Sequence, residues 1–249
     1  MDMTGNTILI TGGGSGIGRA LAEALHARGN KVIVSGRRAS ALEDVAAANP
    51  GIATATLDVS DPTDIARFAA EIVVAHPGLN AVIHNAGIMQ AEDLAAEGSD
   101  LAIAEATIAT NLLGPIRLNA ALLPHLLAQP KATVLTVTSG LAFVPLVATP
   151  SYCATKAAIH SWTQSLRAQL KDTSVEVIEI APPAVATDLM PGHAQNPNSM
   201  PLADYIAETM AQLEAGAAEN LTERVKFLRF AEARGDHAKV FAILNDGTH

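Results

Sequence analysis

Aromatic residues are scarce in this chain: Phe, Trp and Tyr together make up 3% of its 249 residues. Proteins that bind single-stranded nucleic acids use aromatic side chains as stacking platforms, and few are available here. The formal net charge of −9 also has the wrong sign for general contacts to a phosphate backbone. The composition therefore argues against a nucleic acid as partner, and any phosphorylated ligand must be held by a local site.

Cysteine is almost absent, since Cys153 is the single one. An intrachain disulfide is excluded, which fits a reducing compartment and predicts a cytoplasmic protein. Two interpretations of Cys153 are open: a nucleophile beside Tyr152, or a small packing residue, and we favour packing. No basic segment followed by an apolar run precedes Gly5, so no signal peptide is expected.

Charged residues are also few, at 16%, and none lies between Lys131 and Lys156. A hydropathy window could mark this stretch as a membrane span. However, Gly140, Pro145 and Pro150 interrupt it. A buried strand followed by an active-site loop explains the segment better than lipid does, so no membrane association is expected.

What the sequence does contain is a regular alternation of β-branched runs with longer helical patterns. Its composition is uniform along the chain, and no linker is apparent. It predicts one α/β domain over residues 1–249, with a Rossmann-type doubly wound parallel sheet of six or seven strands and helices on both faces. The predicted strands are Thr7–Ile10, Lys31–Ser35, Ile52–Leu57, Ala81–His84, Thr133–Thr138 and Val175–Ile180. The predicted helices are Ile17–Arg28, Ala39–Ala48, Pro62–Ala75, Ala102–Leu127, Ala154–Leu170, Glu223–Phe230 and His237–Leu244; a seventh strand near Val240–Leu244 is left open.

Prolines crowd the segment after Ile180. A proline-rich loop with helical flanks beyond the last strong strand predicts a substrate-covering lid at about residues 186–222. An irregular surface excursion is the alternative.

A glycine-rich loop, Thr11-Gly-Gly-Gly-Ser-Gly-Ile-Gly18, follows the first strand and opens a helix. Glycines let a backbone turn tightly and approach a pyrophosphate, which then lies at the positive end of the helix. Glycine turns also serve packing alone, but the strand–loop–helix context favours a dinucleotide site.

The end of the second strand indicates which dinucleotide. NAD sites usually place a carboxylate there for the ribose hydroxyls, whereas this chain has Arg37 and Arg38. A guanidinium pairs well with phosphate, which predicts NADP(H) as cofactor. The alternative is a pair of solvated arginines at a helix start. Asp58, after the third strand, is open to two interpretations: an adenine contact or a turn cap.

Tyr152 and Lys156 are separated by four residues and so lie one turn apart on one helix face. A free tyrosine has a pKa of about 10. A nearby ammonium and an oxidised nicotinamide should lower the pKa of Tyr152, so that it can exchange a proton with an alkoxide. The Ser139 hydroxyl can hold the carbonyl oxygen.

The ordered set Thr11-Gly12-xxx-Gly16-x-Gly18, Asn85-Ala86-Gly87, Asn111, Ser139 and Tyr152-xxx-Lys156 resembles the short-chain dehydrogenase/reductase family along nearly the whole chain. The resemblance implies Tyr152 as acid/base, Lys156 as ribose ligand, Ser139 as substrate ligand and Asn111 as holder of a relay water. The cofactor-binding residues that the motifs and the resemblance together predict are Gly12, Ser15, Gly16, Ile17, Gly18, Arg37, Arg38, Asp58, Val59, Asn85, Ala86, Gly87, Tyr152, Lys156, Pro182, Val185 and Thr187.

This chain departs from the family pattern at His84, where asparagine is common, and at Pro182-Pro183, where Pro-Gly is usual. We expect His84 to be a packing residue rather than a catalytic one. The tail and the Ser-Gly-Arg-Arg run resemble those of the oxidoreductases encoded in D-alanine–lipoteichoic acid operons. The family's usual final strand and the subunit contact at that end are not evident.

The predicted function is hydride transfer between NADP(H) and a carbonyl or alcohol, as in a ketone or aldehyde reductase. A catalytically silent NADPH-binding regulator is the alternative on the same fold, and an epimerase or dehydratase fits the length and loop spacing less well. Leu141, Phe143, Val144, Pro145 and Met190 are expected either to line an apolar substrate pocket or to pack as ordinary core. No metal is expected. The resemblance implies a homodimer or homotetramer paired through Leu112–Leu127 and Ala154–Leu170.

Overall fold

The computed structural model describes residues 1–96, 101–190 and 192–246, with the backbone alone at His193. Its centre is a seven-stranded sheet in the order β3-β2-β1-β4-β5-β6-β7, in which all neighbours pair in parallel. The strands are β1 (Thr7–Thr11), β2 (Lys31–Gly36), β3 (Ala53–Thr56), β4 (Leu79–His84), β5 (Ala132–Val137), β6 (Val175–Ala181) and β7 (Glu219–Leu221). The predicted doubly wound sheet is confirmed.

Helices cover both faces of this sheet. They are α1 (Gly16–Ala27), α2 (Ala39–Ala48), α3 (Pro62–Ala75), α4 (Ala102–Ile108), α5 (Gly114–Leu127), α6 (Pro150–Leu170), α7 (Leu202–Glu214), α8 (Glu223–Arg229) and α9 (His237–Asn245). Helix α3 begins as its sequence indicates, since the Asp61 carboxylate accepts a hydrogen bond from the Thr63 backbone N–H at 2.7 Å.

Alternate residues of the strands face two separate cores. Ile8 and Ile10 of β1 pack on one side with α1, α2 and α7, whereas Leu9 packs on the other with α3, α5 and α6. Burial on both faces explains the continuous apolar runs of β1, β2 and β4, whereas the edge strand β3 alternates between half-buried and exposed residues.

The seventh strand is β7, three residues long, and not the Val240–Leu244 segment, which lies inside α9. The segment 240–244 cannot extend the sheet because Val240 packs against Val144 and Ala231 in a small separate cluster. The family-type final strand is therefore present, but earlier in the chain than the position considered from the sequence.

The predicted helix Ala102–Leu127 is interrupted by a wide π-type turn at Ala109–Leu113, between α4 and α5. Such turns insert one extra residue per turn and rotate the side chains that follow. Apolar periodicity on both sides conceals the interruption in the sequence.

The segment 186–222 contains a loop, α7 and β7, while Pro191 lies outside the described residues. The loop has a fixed base, because Val185 and Met200 form a parallel bridge with hydrogen bonds from Met200 N to Ala184 O and from Ala186 N to Met200 O. In contrast, α7 is a core helix whose Tyr205 and Leu213 are buried. Of the predicted lid segment, the 186–199 loop is thus the part outside these core elements, and residues 186–190 and 192–199 of it are described.

Candidate active site

The carboxyl ends of β1 and β4 are joined through Thr11. Its hydroxyl oxygen accepts hydrogen bonds from the backbone N–H groups of Asn85 and Ala86, both at 3.0 Å. The Asn85 amide in turn donates to the carbonyl oxygens of Thr11 at 3.0 Å and Gly12 at 3.3 Å. The predicted glycine loop and the Asn-Ala-Gly turn are therefore one hydrogen-bonded unit.

Two glycines of this loop occupy positions that no side chain could share. Gly12 has φ +66°, and a Cβ there would lie 2.9 Å from the Ala86 Cα atom. A Cβ on Gly18 would overlap the Gly12 carbonyl oxygen and the Asn85 amide. The loop is thus packed backbone to backbone, which leaves its outer surface open to a ligand.

A cleft opens beside this loop at the carboxyl ends of the strands. It is lined by Thr11, Gly12, Gly14, Ser15, Ser35, Gly36, Arg37, Arg38, Ala41, Leu42, Leu57, Asp58, Val59, Ala86, Gly87, Ile88 and Thr110. Eight of the predicted cofactor residues share this cleft: Gly12, Ser15, Arg37, Arg38, Asp58, Val59, Ala86 and Gly87. The crevice outside the strand ends is where doubly wound folds bind dinucleotides.

Arg37 and Arg38 are both exposed at the rim of the cleft. Arg38 reaches back to the glycine loop, where its Nη2 atom lies 3.5 Å from the Ser15 hydroxyl oxygen. In the part of the chain that the structure describes, neither guanidinium has a carboxylate partner. Both cations are free to receive an anionic ligand.

Asp58 caps the turn after β3. One oxygen of its carboxylate accepts hydrogen bonds from the Ser60 backbone N–H at 2.9 Å and from the Ser60 hydroxyl at 2.6 Å. The turn-cap interpretation therefore holds. The residue also lines the cleft, so an adenine contact stays a prediction.

Tyr152 and Lys156 lie on the same buried face of α6, as their spacing predicts. The ammonium nitrogen of Lys156 is 5.5 Å from the centre of the Tyr152 ring and donates a hydrogen bond to the Val137 carbonyl oxygen at 2.8 Å. That bond ties α6 to the end of β5, two residues before Ser139. Three of the four predicted catalytic side chains therefore converge here.

In the protein alone, burial raises the pKa of Tyr152 to about 12, partly offset by a hydrogen bond with Ser139. Burial also lowers the pKa of Lys156 to about 8. Desolvation thus sets the direction of the Tyr152 pKa shift in the protein alone, and the lowering expected from the Lys156 ammonium together with an oxidised nicotinamide stays a prediction. At neutral pH the phenol is protonated, the form that donates a proton to an alkoxide.

Asn111 lies buried in the π-type turn, and its side-chain oxygen and the Lys156 nitrogen both flank Gly87, 3.3 and 3.8 Å from where a Cβ on that residue would be. Its side-chain oxygen accepts from the Ile88 N–H at 2.9 Å, and its amide donates to the Ile88 carbonyl at 2.8 Å and to the Thr155 hydroxyl at 3.4 Å. The side chain therefore clamps the loop after Gly87 to α6. The relay water implied by the resemblance stays a prediction.

The remaining predicted cofactor residues frame the same region. The Pro182 carbonyl accepts a hydrogen bond from the Gly140 N–H at 2.8 Å. Val185 forms the base of the 186–199 loop, and the Thr187 side chain lies 3.5 Å from where a Cβ on Gly16 would be. Ile17 packs its side chain into the core beneath the loop.

The predicted substrate residues separate into two groups. Leu141 and Met190 pack against the buried Tyr152 and Cys153, together with Met89 and Leu146. In contrast, Val144 packs with Ala231 and Val240, Phe143 packs with Val225 and Leu221, and Pro145 is exposed. The short 3-10 turn Gly140–Ala142 directs Leu141 toward Tyr152, whereas Phe143 and Val144, which follow the turn, face the C-terminal part of the chain. This packing favours the ordinary-core interpretation for Phe143 and Val144, while the substrate contacts of Leu141 and Met190 stay a prediction.

Glu92 has a part in the site that the sequence did not indicate. Its carboxylate accepts hydrogen bonds from the Ser151 backbone N–H at 3.0 Å and from the Ser151 hydroxyl at 2.7 Å. It thereby caps the first turn of α6, next to Tyr152, from 59 residues away in sequence. No local signal marks it, because the cap comes from another loop.

His84 and Cys153 are both buried. Burial lowers the pKa of His84 to about 4, so its ring is neutral at physiological pH. Burial raises the pKa of the Cys153 thiol, which disfavours the thiolate that a nucleophile needs. Both facts support the packing roles expected for these residues.

Comparisons with known proteins agree with this architecture. A family model described as "short chain dehydrogenase" matches residues 6–198. The chain is 40% identical to "Uncharacterized oxidoreductase DltE" of Bacillus subtilis (strain 168), covering 98% of both chains. It is also similar to a short chain dehydrogenase from Burkholderia cenocepacia J2315 solved in complex with NADP, with 26% identity, a TM-score of 0.83, and coverage of 98% and 99%. A Burkholderia phymatum family member in complex with NAD, at 20% identity and a TM-score of 0.81 over 96% of each chain, shares the fold.

The chain therefore belongs to the short-chain dehydrogenase/reductase family of oxidoreductases. Among the residues that the structure describes, no helix has the length and apolar character needed to cross a membrane.

Proposed function

We propose that this protein is an NADPH-dependent reductase of apolar ketones or aldehydes. The observation that carries the proposal is the buried arrangement of Tyr152, Lys156 and Ser139 beside a cleft that holds the glycine loop and two arginines, neither of which has a carboxylate partner among the described residues. When bound, NADPH supplies the hydride. The phenol of Tyr152 donates the proton that the reduced carbonyl oxygen requires, while the Ser139 hydroxyl orients that oxygen.

The apolar surroundings of Tyr152 support the substrate class. Met89, Leu141, Leu146 and Met190 all pack around it, and two of the four are methionines, which adapt to differently shaped ligands. A charged substrate would lose its hydration without compensation in such a pocket. The direct test is a panel of ketones, aldehydes and sugars with each reduced cofactor, followed by nicotinamide absorbance; activity restricted to sugars or charged acids would contradict the proposed class.

The loop 186–199 is proposed to cover the bound substrate, since Met190 joins the Tyr152 cluster while the base of the loop is fixed. The single, unpaired cysteine supports a reducing, cytoplasmic compartment. Pairing of subunits through α5 and α6 stays a prediction.

Replacing Arg37 with alanine is expected to weaken NADPH binding by about 10- to 100-fold and NADH binding by less than about threefold. The reason is that a guanidinium bonded to a 2′-phosphate is lost, and NADH has no phosphate at that position. Dissociation constants from the fluorescence quenching of each cofactor measure this. Arg38→Ala tests the second cation, and Arg28→Ala, whose guanidinium pairs with Glu214 away from the cleft, is the control. Equal losses for both cofactors would mean that Arg37 does not bind the phosphate.

The rate of carbonyl reduction is expected to fall as the pH rises through about 8, where Lys156 loses its proton. Below that pH the ammonium is present and favours proton release from the Tyr152 phenol; above it the phenol becomes a weaker acid. The measurement is kcat/KM for NADPH oxidation against pH, in the wild type and in Lys156→Met. The variant should be slower and lack the step near pH 8. A wild-type profile without any change between about pH 6 and 10 would contradict this assignment.

A further inference from the structure

Glu179 is a carboxylate on β6 whose side chain is almost entirely buried, with 1% of it exposed. It lies behind the catalytic residues and outside the cofactor cleft. Burying a carboxylate costs several kcal/mol unless it is paired and hydrogen-bonded. A residue of this kind is therefore held in place by specific partners, and those partners indicate what it does.

The partners of Glu179 come from the two elements that carry the catalytic side chains. The hydroxyl of Thr138, the residue before Ser139, donates to Oε1 at 2.8 Å. Nδ1 of His160, one turn after Lys156 on α6, lies 2.8 Å from Oε1 and 2.9 Å from Oε2. One carboxylate thus holds the end of β5 and the middle of α6 together.

Three polar contacts on successive turns place α6 on the sheet. Lys156 donates to the Val137 carbonyl, His160 contacts Glu179, and the hydroxyl of Thr163 lies 2.8 Å from that of Thr136. Hydrogen bonds that involve an ammonium or a carboxylate are about twice as strong as neutral ones, and the first two of these contacts are of that kind. The Lys156 and His160 contacts therefore contribute more than the Thr163 contact to the register of α6 on β5 and β6.

The neighbouring Glu219 completes the cluster from β7. Ligand atoms of His160, Glu179 and Glu219 lie within 4.8 Å of one another, a donor set that could hold a metal ion. However, the guanidinium of Arg229 already pairs with Glu219 at 2.6 Å, and the Thr138 hydroxyl already donates a hydrogen bond to Oε1 of Glu179. These partners favour an ionic network over a metal site.

We propose that Glu179 is a positioning residue for the reductase reaction: through Thr138 and His160 it fixes the Ser139 hydroxyl relative to the Tyr152 phenol. The assignment rests on the proposed function in that Ser139 and Tyr152 act on the same carbonyl oxygen. A displacement of about 1 Å between such groups can cost about 100-fold in rate. Glu179 touches neither cofactor nor substrate in this scheme.

The test is Glu179→Gln, which keeps the shape of the side chain and removes its charge. We expect kcat to fall by about 10- to 100-fold, with the NADPH dissociation constant and the substrate KM changed by less than about threefold. In a Ser139→Ala background the same substitution should cost less than about threefold more, because the position of the Ser139 hydroxyl relative to the Tyr152 phenol is what Glu179 is proposed to fix, and that hydroxyl is then absent. Glu219→Gln, which removes one charge from the same cluster without touching Thr138, is the matched control and should keep full kcat.

A second readout needs no substrate. The chain has two tyrosines, Tyr152 and Tyr205, so fluorotyrosine labelling gives two fluorine NMR signals, assigned with Tyr152→Phe and Tyr205→Phe. Glu179→Gln and Ser139→Ala should each shift the Tyr152 signal, while Glu219→Gln should not. Tyr205, in the core beside α1, reports general damage to the fold. If Glu179→Gln does not fold, Thr138→Val removes one partner of the carboxylate and should give the same shift.

The proposal is overturned by an unmoved Tyr152 signal in folded Glu179→Gln, by full kcat in that variant, or by an equal loss in Glu219→Gln. These outcomes differ from failure of the proposed function, in which the wild type reduces no carbonyl although its Tyr152 signal still responds to Glu179→Gln.

Discussion

Replacing Tyr152 with phenylalanine is expected to lower kcat by about 10²- to 10⁴-fold and to change the NADPH dissociation constant by less than about threefold. The substitution removes the hydroxyl that, in the proposed reaction, protonates the carbonyl oxygen. The ring itself, buried against Met89, Leu141 and Met190, keeps its packing. Steady-state kinetics together with cofactor fluorescence measure both quantities.

Tyr205→Phe is the matched control, because that hydroxyl lies in the core on the other side of the sheet and should not affect turnover. Full activity of Tyr152→Phe would disprove the proposed chemistry. A wild type that binds NADPH tightly but reduces nothing in a broad panel would instead support the silent regulator, the alternative that the same fold allows.

The sheet, the glycine loop and the Tyr152–Lys156 pair could be predicted from the sequence because each depends on local information. Strands buried on both faces tend to be apolar runs. The glycine loop between a strand and a helix is recognisable from eight consecutive residues, Thr11 to Gly18. Four-residue spacing on a helix places two side chains on one face wherever the helix lies.

Features that depend on contacts between distant segments could not be predicted in this way. The hydrogen bond by which Glu92 caps Ser151 joins residues that are 59 positions apart. The three-residue segment β7 is a strand only because it pairs with β6. Phe143 follows Leu141 by two positions, yet a short turn sends the two side chains to different clusters. The direction of the Tyr152 pKa shift also depends on burial, which the motif does not specify.

The glycine loop gives the second large expectation, that Gly18→Ala weakens NADPH binding by more than about 100-fold. The added methyl group would meet the Gly12 carbonyl oxygen and the Asn85 amide, both closer than real Cβ atoms approach. Neither can retreat, since Asn85 is bonded to Thr11 and Gly12, and Gly12 abuts Ala86. The first turn of α1 must then move away from β1, and its N–H groups leave the position at which they can bind a pyrophosphate.

Isothermal titration with NADPH and thermal unfolding measure the consequence. Overpacking of this kind costs about 1–3 kcal/mol in stability, so the Tm of Gly18→Ala should fall by several degrees as well. Gly78→Ala is the control, because its Cβ would lie 3.7 Å from Thr7 Oγ1, an ordinary contact distance, at the opposite end of β1 from the glycine loop. Neither the Tm nor the NADPH affinity of this variant should drop. If Gly18→Ala bound NADPH like the wild type, the loop would tolerate displacement, and the backbone contact between Gly12, Gly18 and Asn85 would not be what shapes the cofactor site.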